Sequence, residues 1–237
     1  MSTMKALILA AGLGTRLKPL TDNKPKALVE VAGKPMLEWV IMKLIKADIK
    51  DIIINIHHFP EQILEFLQEK KNFGINITIS DERDELLDSG GAILKASSFF
   101  SDGKSFLVHN VDIASDLKIP ALADYHRTQN ALATLAVRQR TTSRYLLFDA
   151  NMRLRGWENI STGHHIGMQT TPEMPLTQLA FSGIYMINPE IFPLITETGC
   201  FPVIDMLLRL APDHKILGFR HDEGDWRDLG KKDMING

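Results

Sequence analysis

The sequence predicts an α/β protein of Rossmann-like type, with a mixed, mostly parallel sheet flanked by helices. Three observations carry this. Short apolar runs that read as strands alternate with segments whose apolar residues recur at helical spacing, the pattern of right-handed βαβ units. A turn almost free of side chains, Ala11, Gly12 and Gly14, follows the first of those runs. The length, 237 residues, suits one large core and falls short of two full domains with linkers, so a single domain over 1–237 is expected.

The first strand is Lys5 to Ala10. The bare turn after it lets backbone N–H groups close around phosphate oxygens. Arg16, Lys18, Lys24 and Lys26 follow close behind, so the same loop carries cations to neutralise an anion. Two familiar phosphate patterns fail on spacing. A P-loop needs Gly-Lys-Ser/Thr after a four-residue gap, and Gly12 is followed by Leu13, Gly14, Thr15 and Arg16. A dinucleotide fingerprint needs a third glycine where Leu17 stands, and Pro19 and Pro25 forbid a regular helix beyond it. A plain βα turn with a solvated basic rim explains the glycines but not the cations and prolines packed beside them. The segment reads as a basic loop that holds a polyphosphate.

Pro35 to Ile49 places Met36, Leu37, Val40, Ile41, Leu44 and Ile45 on one helical face, with Pro35 suited to the first turn. Asp51 to His57 is a buried strand, Pro60 to Phe73 a second helix, and Ile75 to Ser80 a strand. Ser89, Gly90 and Gly91 stand just before a helix through Ile93, Leu94 and Ala96. Such a start lets a flat ring lie on bare backbone, and an ordinary N-cap accounts for it equally well. Ser105 to Asn110 is a central strand with Asp112 just past its end, where the sites of open α/β sheets lie. Ile119 to Gln129 is helical and Ala131 to Arg138 alternates as a strand. Arg138, Arg140 and Arg144 suit a solvated hairpin end, with a phosphate grip as the alternative. An excursion at about 138–177 shows no clean period between Met152 and Pro175. Gln178 to Ile187 is a strand, Pro189 opens a helix, Pro202 to Leu210 is amphipathic and Lys215 to Arg220 is a last strand.

Composition narrows the function classes. A net charge of −2 argues against a general nucleic-acid surface, and no apolar stretch approaches the roughly 18 residues of a membrane span. One cysteine, Cys200, excludes an intramolecular disulfide and a cysteine metal cluster, which fits a reducing, cytoplasmic setting. The opening MSTMKALILAAGLG is too weakly charged and too short in its apolar run for a secretory signal. The histidines show no metal-ligand spacing.

LAAGLGTRLKPLT at 9–21 and KPKALVEVAGKPML at 24–37 resemble the N-terminal signature of the sugar-1-phosphate nucleotidyltransferases, and DWRDLG at 225–230 resembles the family's late Trp-x-Asp-Leu/Val-Gly. The resemblance spans nearly the whole chain and implies the nucleotidyltransferase fold. It implies a reaction of a sugar 1-phosphate with a nucleoside triphosphate that gives a nucleoside-diphosphate sugar and pyrophosphate. By resemblance, Ala10, Ala11, Gly12, Gly14, Thr15 and Arg16 hold the triphosphate, Gly90 and Gly91 contact the base, and Lys26 sits at the sugar-phosphate end. Arg16, Lys26 and Asp112 are the implied catalytic residues, and Asp112 and Asp228 the ligands of Mg²⁺, a hard cation suited to oxygen donors. Glu158, Asn159 and Ser182 are the implied sugar contacts. The chain departs from the family at Glu158-Asn159-Ile160, where many relatives carry Glu-Lys-Pro; the missing lysine's role falls to Lys26 or to one of Arg138, Arg140 and Arg144.

The pattern looks most like short bacterial relatives that take N-acetylmuramic acid 1-phosphate with UTP, the preferred pair, or mannose or heptose 1-phosphate with GTP. No acyltransferase domain of hexapeptide repeats is expected after Asp228, and a monomer or weak homo-oligomer is. Two rivals differ in class. A non-catalytic nucleotide-sugar binding protein is opposed by the presence of both aspartates, and a nicotinamide oxidoreductase by the absent third glycine.

Overall fold

A computed structural model describes residues 4–172 and 174–232. The strands are, in chain order, β1 (Lys5–Leu9), β2 (Glu30–Val31), β3 (Lys34–Pro35), β4 (Asp51–Ile56), β5 (Asn76–Asp81), β6 (Phe106–Asn110) and β7 (Ile113–Ser115). They continue with β8 (Ala133–Arg138), β9 (Arg144–Phe148), β10 (Leu154–Asn159), β11 (His164–Gly167), β12 (Thr177–Ile187), β13 (Ile216–Arg220) and β14 (Trp226–Asp228). The α-helices are α1 (Met36–Lys46), α2 (Pro60–Glu69), α3 (Asp88–Lys95), α4 (Ile119–Gln129) and α5 (Val203–Leu210).

The main sheet runs β11-β10-β9-β12-β6-β1-β4-β5, with β8 pairing β12 and β13 pairing β8. The β6-β1-β4-β5 half is parallel, as the strand–helix alternation predicts. Its inner strands β1, β4 and β6 are mostly apolar because helices cover both faces, whereas the edge strand β5 alternates polar and apolar residues. Ala6, Ile8, Ile52, Ile54 and Ile56 pack into one core with α1 and α2. Leu7, Ile53 and Val108 pack on the opposite side with Ile93 of α3 and Val203, Met206 and Leu207 of α5. The period of two along each strand decides which residue joins which core.

β12 joins this body to the excursion. Its later residues, Ile184 to Ile187, run antiparallel to β6, whereas Thr177 to Leu179 pair with β9 beyond the carboxyl edge of the parallel strands. The excursion, expected to lack regular period, contains the hairpin β10–β11, which extends the sheet through β9. Its strands carry polar residues on both faces, so no apolar alternation marks them. Other expectations shift at their ends. The second helix stops at Glu69, because Lys71, Asn72 and Phe73 take positive φ in a 3₁₀ segment, and the segment opened by Pro189 is 3₁₀ (Pro189–Leu194).

Candidate active site

The carboxyl ends of β1, β4, β5 and β6 meet at one edge, and the loop after β1 crosses it. Gly14 takes φ 64°, and a Cβ there would lie 2.8 Å from Thr21 Cγ2 and 3.0 Å from Lys26 Cβ, so only glycine closes this turn. Thr21, 1% exposed, locks it by donating from Oγ1 to the Gly14 carbonyl over 2.9 Å. At Gly12 a Cβ would make only an ordinary contact, with Lys26 Cδ at 3.9 Å, so the protein itself leaves room for a side chain there. Among the described residues the N–H groups of Gly12, Leu13 and Gly14 donate to no backbone acceptor. These are the amides free to take phosphate oxygens.

Ala10 and Ala11 are different. Their N–H groups donate to Asn55 Oδ1 over 2.6 and 3.3 Å inside the protein, so they form the floor of the loop rather than its ligand face. Asn55 in turn donates from Nδ2 to Oε1 of Glu82, which is 1% exposed. Glu82 Oε2 accepts from the Leu87 N–H over 3.4 Å, just before α3, and burial pushes its carboxyl above the ordinary range. Neither residue was expected from the sequence. The available signal was a polar side chain in the apolar run Asp51 to Ile56 and a carboxylate directly after β5.

Of the four loop cations, two converge. Lys26 Nζ donates to Asp112 Oδ2 in a close, largely buried ion pair. Arg16 reaches both acids, with Nη1 3.4 Å from Asp228 Oδ2 and Nη2 3.9 Å from Asp112 Oδ2. Lys18 instead faces Asp22 at 3.6 Å, on the exposed side. The two aspartates meet because β14 pairs antiparallel with β7, setting Asp228 opposite Ile113, and because the Leu229 N–H donates to the Asp112 carbonyl over 2.8 Å. Gly230 completes the contact: a Cβ there would lie 2.6 Å from Asp112 Oδ2 and 2.9 Å from Asp228 Oδ1. Two convergent carboxylates beside an open phosphate loop fit Mg²⁺, which binds one or two carboxylates and completes its shell with water and substrate phosphates. No group of three or more His, Cys, Asp or Glu among the described residues offers a closed protein cage.

The remaining expected residues stand elsewhere. Thr15 begins a 3₁₀ turn beside Arg16 and is exposed. Gly90 and Gly91 lie within the first turn of α3, not before it. A Cβ on Gly90 would strike Phe201 at 2.3 Å and one on Gly91 the Gly199 carbonyl oxygen at 2.3 Å, so their bare faces are covered by the 199–201 segment. Glu158 accepts from Gln178 Nε2 and lines a cleft of about 560 Å³ with His165, Gln169 and Thr170 in the excursion. Asn159 turns the β10–β11 hairpin, its Oδ1 accepting from the Ser161 N–H over 3.1 Å. The Ser182 hydroxyl, expected to meet the sugar, is fully buried and shares a 2.8 Å hydrogen bond with His221 Nε2. Its carbonyl is what works toward the site, accepting from Trp226 Nε1 over 3.0 Å.

Comparison with known proteins shows the family. The family model described as Nucleotidyl transferase matches residues 5–236. An N-acetylmuramate alpha-1-phosphate uridylyltransferase of Caulobacter vibrioides is 30% identical over 231 residues, covering 95% of this chain and 91% of that protein. A mannose-1-phosphate guanyltransferase of Yarrowia lipolytica is 32% identical over 237 residues, and the chain spans 63% of its length. A UDP-glucose pyrophosphorylase from Acinetobacter baumanii shares the fold, with a TM-score of 0.78 at 19% identity over 99% of this chain and 91% of that one. The chain belongs to the nucleotidyl transferase family.

Proposed function

We propose that the protein joins a sugar 1-phosphate to a nucleoside triphosphate. The observation that carries this is the convergence of Lys26 and Arg16 with Asp112 and Asp228 beside the open amides of Gly12 to Gly14. In the reaction a phosphate oxygen of the sugar 1-phosphate attacks the α-phosphorus in line. The bond from that phosphorus to the α–β bridging oxygen breaks, and pyrophosphate leaves with the electron pair. The loop amides and Arg16 bind the triphosphate, and Lys26 holds the attacking phosphate against it. Neutralisation of charge and alignment of the two phosphates are the whole of the catalytic task, since no covalent protein intermediate is required. Asp112 and Asp228 would hold Mg²⁺, which supplies charge neutralisation at the phosphates.

For substrate, the reading prefers UTP with N-acetylmuramic acid 1-phosphate, because the relative so named is matched over 91% of its own length. GTP with mannose 1-phosphate is the second reading, supported by the relative matched over 63% of its length. A cytoplasmic setting suits a reaction that consumes nucleoside triphosphate. The test is a matrix of four nucleoside triphosphates against a panel of sugar 1-phosphates, with pyrophosphate release measured with and without Mg²⁺. Release that requires all three components is expected, and silence across the matrix sinks the proposal.

A further inference from the structure

Arg140 lies on the segment between β8 and β9, half-buried, with its guanidinium 4.3 Å from the centre of the Trp226 ring. Its Nη2 donates to the Phe181 carbonyl over 3.2 Å, while Nε is buried with no partner. No carboxylate of the described residues comes within 4.0 Å of it. A half-buried guanidinium with no carboxylate in contact is costly, and an arriving anion lowers that cost. The stacking is itself constructed. Gly183 takes φ 74° in a register shift between Phe181 and Tyr185 of β12. Two successive carbonyls from this irregular stretch hold the pair, Phe181 holding Arg140 and Ser182 holding Trp226.

Trp226 and Asp228 are two residues apart on β14, so they share one face of that strand, roughly 6–7 Å apart. Arg16 pairs with Asp228 and Arg140 covers Trp226. The two cations are thus anchored on neighbouring residues of one strand face. Asp228 also acts on Arg140 electrostatically, opposing the depression of its pKa by burial. The neighbouring arginines are placed otherwise. Arg138 ties down the loop after β13, with Nη2 donating to the carbonyls of Asp222 and Gly224 over 3.1 and 3.3 Å, and Arg144 is exposed at the start of β9.

We propose that Arg140 binds the phosphate of the incoming sugar 1-phosphate and supplies the cation absent at Ile160, with Trp226 as the shelf that holds its fork in plane. This rests on the transfer reaction proposed above. It makes Arg140 a determinant of acceptor affinity and leaves the triphosphate to the loop after β1.

The experiment compares Arg140→Gln and Arg140→Lys with wild type in pyrophosphate release, using N-acetylmuramic acid 1-phosphate and mannose 1-phosphate as acceptors, with calorimetric titration of the triphosphate in parallel. Arg140→Gln should raise the acceptor KM by at least about tenfold, the size of one charge-assisted hydrogen bond, with triphosphate affinity unchanged. Arg140→Lys keeps a point charge but loses the planar fork, and should show a smaller rise of about two- to fivefold. If the glutamine variant does not fold, the lysine variant decides alone. Wild-type acceptor KM in the folded variants, or an equal loss in triphosphate affinity, overturns the assignment. Absence of turnover in the wild type would instead strike the function itself, so the two failures are distinguishable.

Discussion

Asn55 Nδ2 donates to Glu82 Oε1 over 2.9 Å, and this buried bond joins the floor of the phosphate loop to the segment that leads into α3. On one side Asn55 holds the amides of Ala10 and Ala11; on the other Glu82 holds the Leu87 amide and, through its carbonyl, contacts His57 Nδ1 at 2.6 Å. Asn55→Ala leaves two backbone donors and one oxygen of the Glu82 carboxylate unpaired. A loss of about 2–4 kcal/mol in urea unfolding is expected, at 1–3 kcal/mol per orphaned buried group with partial relaxation. The folded fraction should bind triphosphate more weakly, while the acceptor KM is unchanged.

The glycines separate by role. Gly91→Ala drives a Cβ into the Gly199 carbonyl oxygen and should destabilise by about 1–3 kcal/mol. Gly12→Ala meets only Lys26 Cδ, at an ordinary 3.9 Å, and should leave the melting temperature near wild type, yet weaken the triphosphate because a methyl group now projects where phosphate approaches. Melting curves and nucleotide titration on both variants check this. A Gly12→Ala protein with full nucleotide affinity would remove Gly12 from the phosphate site.

Asp112→Asn and Asp228→Asn should each abolish most turnover in a folded protein, and the double variant should lose little more, as expected of residues acting as a unit. Stability follows a different rule. Lys26→Met leaves Asp112 largely buried without its closest cation, so adding Asp112→Asn to Lys26→Met should restore stability without restoring activity. Independent, additive losses in kcat for the two aspartates would count against a shared metal.

The three buried histidines should lower stability as pH falls below about 6.5. Burial holds His109, His126 and His221 at about 4, below the ordinary 6.5. Between those values the unfolded chain binds protons that the folded one refuses, so stability falls as pH falls, on the order of 1–3 kcal/mol for each histidine. Glu82, raised by burial, acts in the opposite sense, so the test is by substitution. His126 bonds Thr134 Oγ1 over 2.9 Å and Ser105 Oγ over 3.1 Å; His126→Gln should flatten the stability profile between pH 6.5 and 4. An unchanged slope would mean that His126 is not held neutral.

Local chemistry made much of this molecule legible in the sequence. The alternation of Ala6, Leu7 and Ile8 and of Ile52, Ile53 and Ile54 between two cores marks central strands, and the loop after β1 carries its glycines, cations and prolines in one short run. Those are properties of neighbours along the chain, which period and sterics govern. What only the tertiary structure decided depends on residues distant in sequence. The bond from Asn55 to Glu82, the β14–β7 pairing that brings Asp228 to Asp112, and the stacking of Arg140 on Trp226 come from strand register. The covered glycines of α3 are of the same kind: Gly90 and Gly91 look alike in sequence whether a ligand or Phe201 lies against them, and only the path of the 199–201 segment tells which. A side chain's type limits the partners it can take, but which partner it meets is set by how the strands and loops pack.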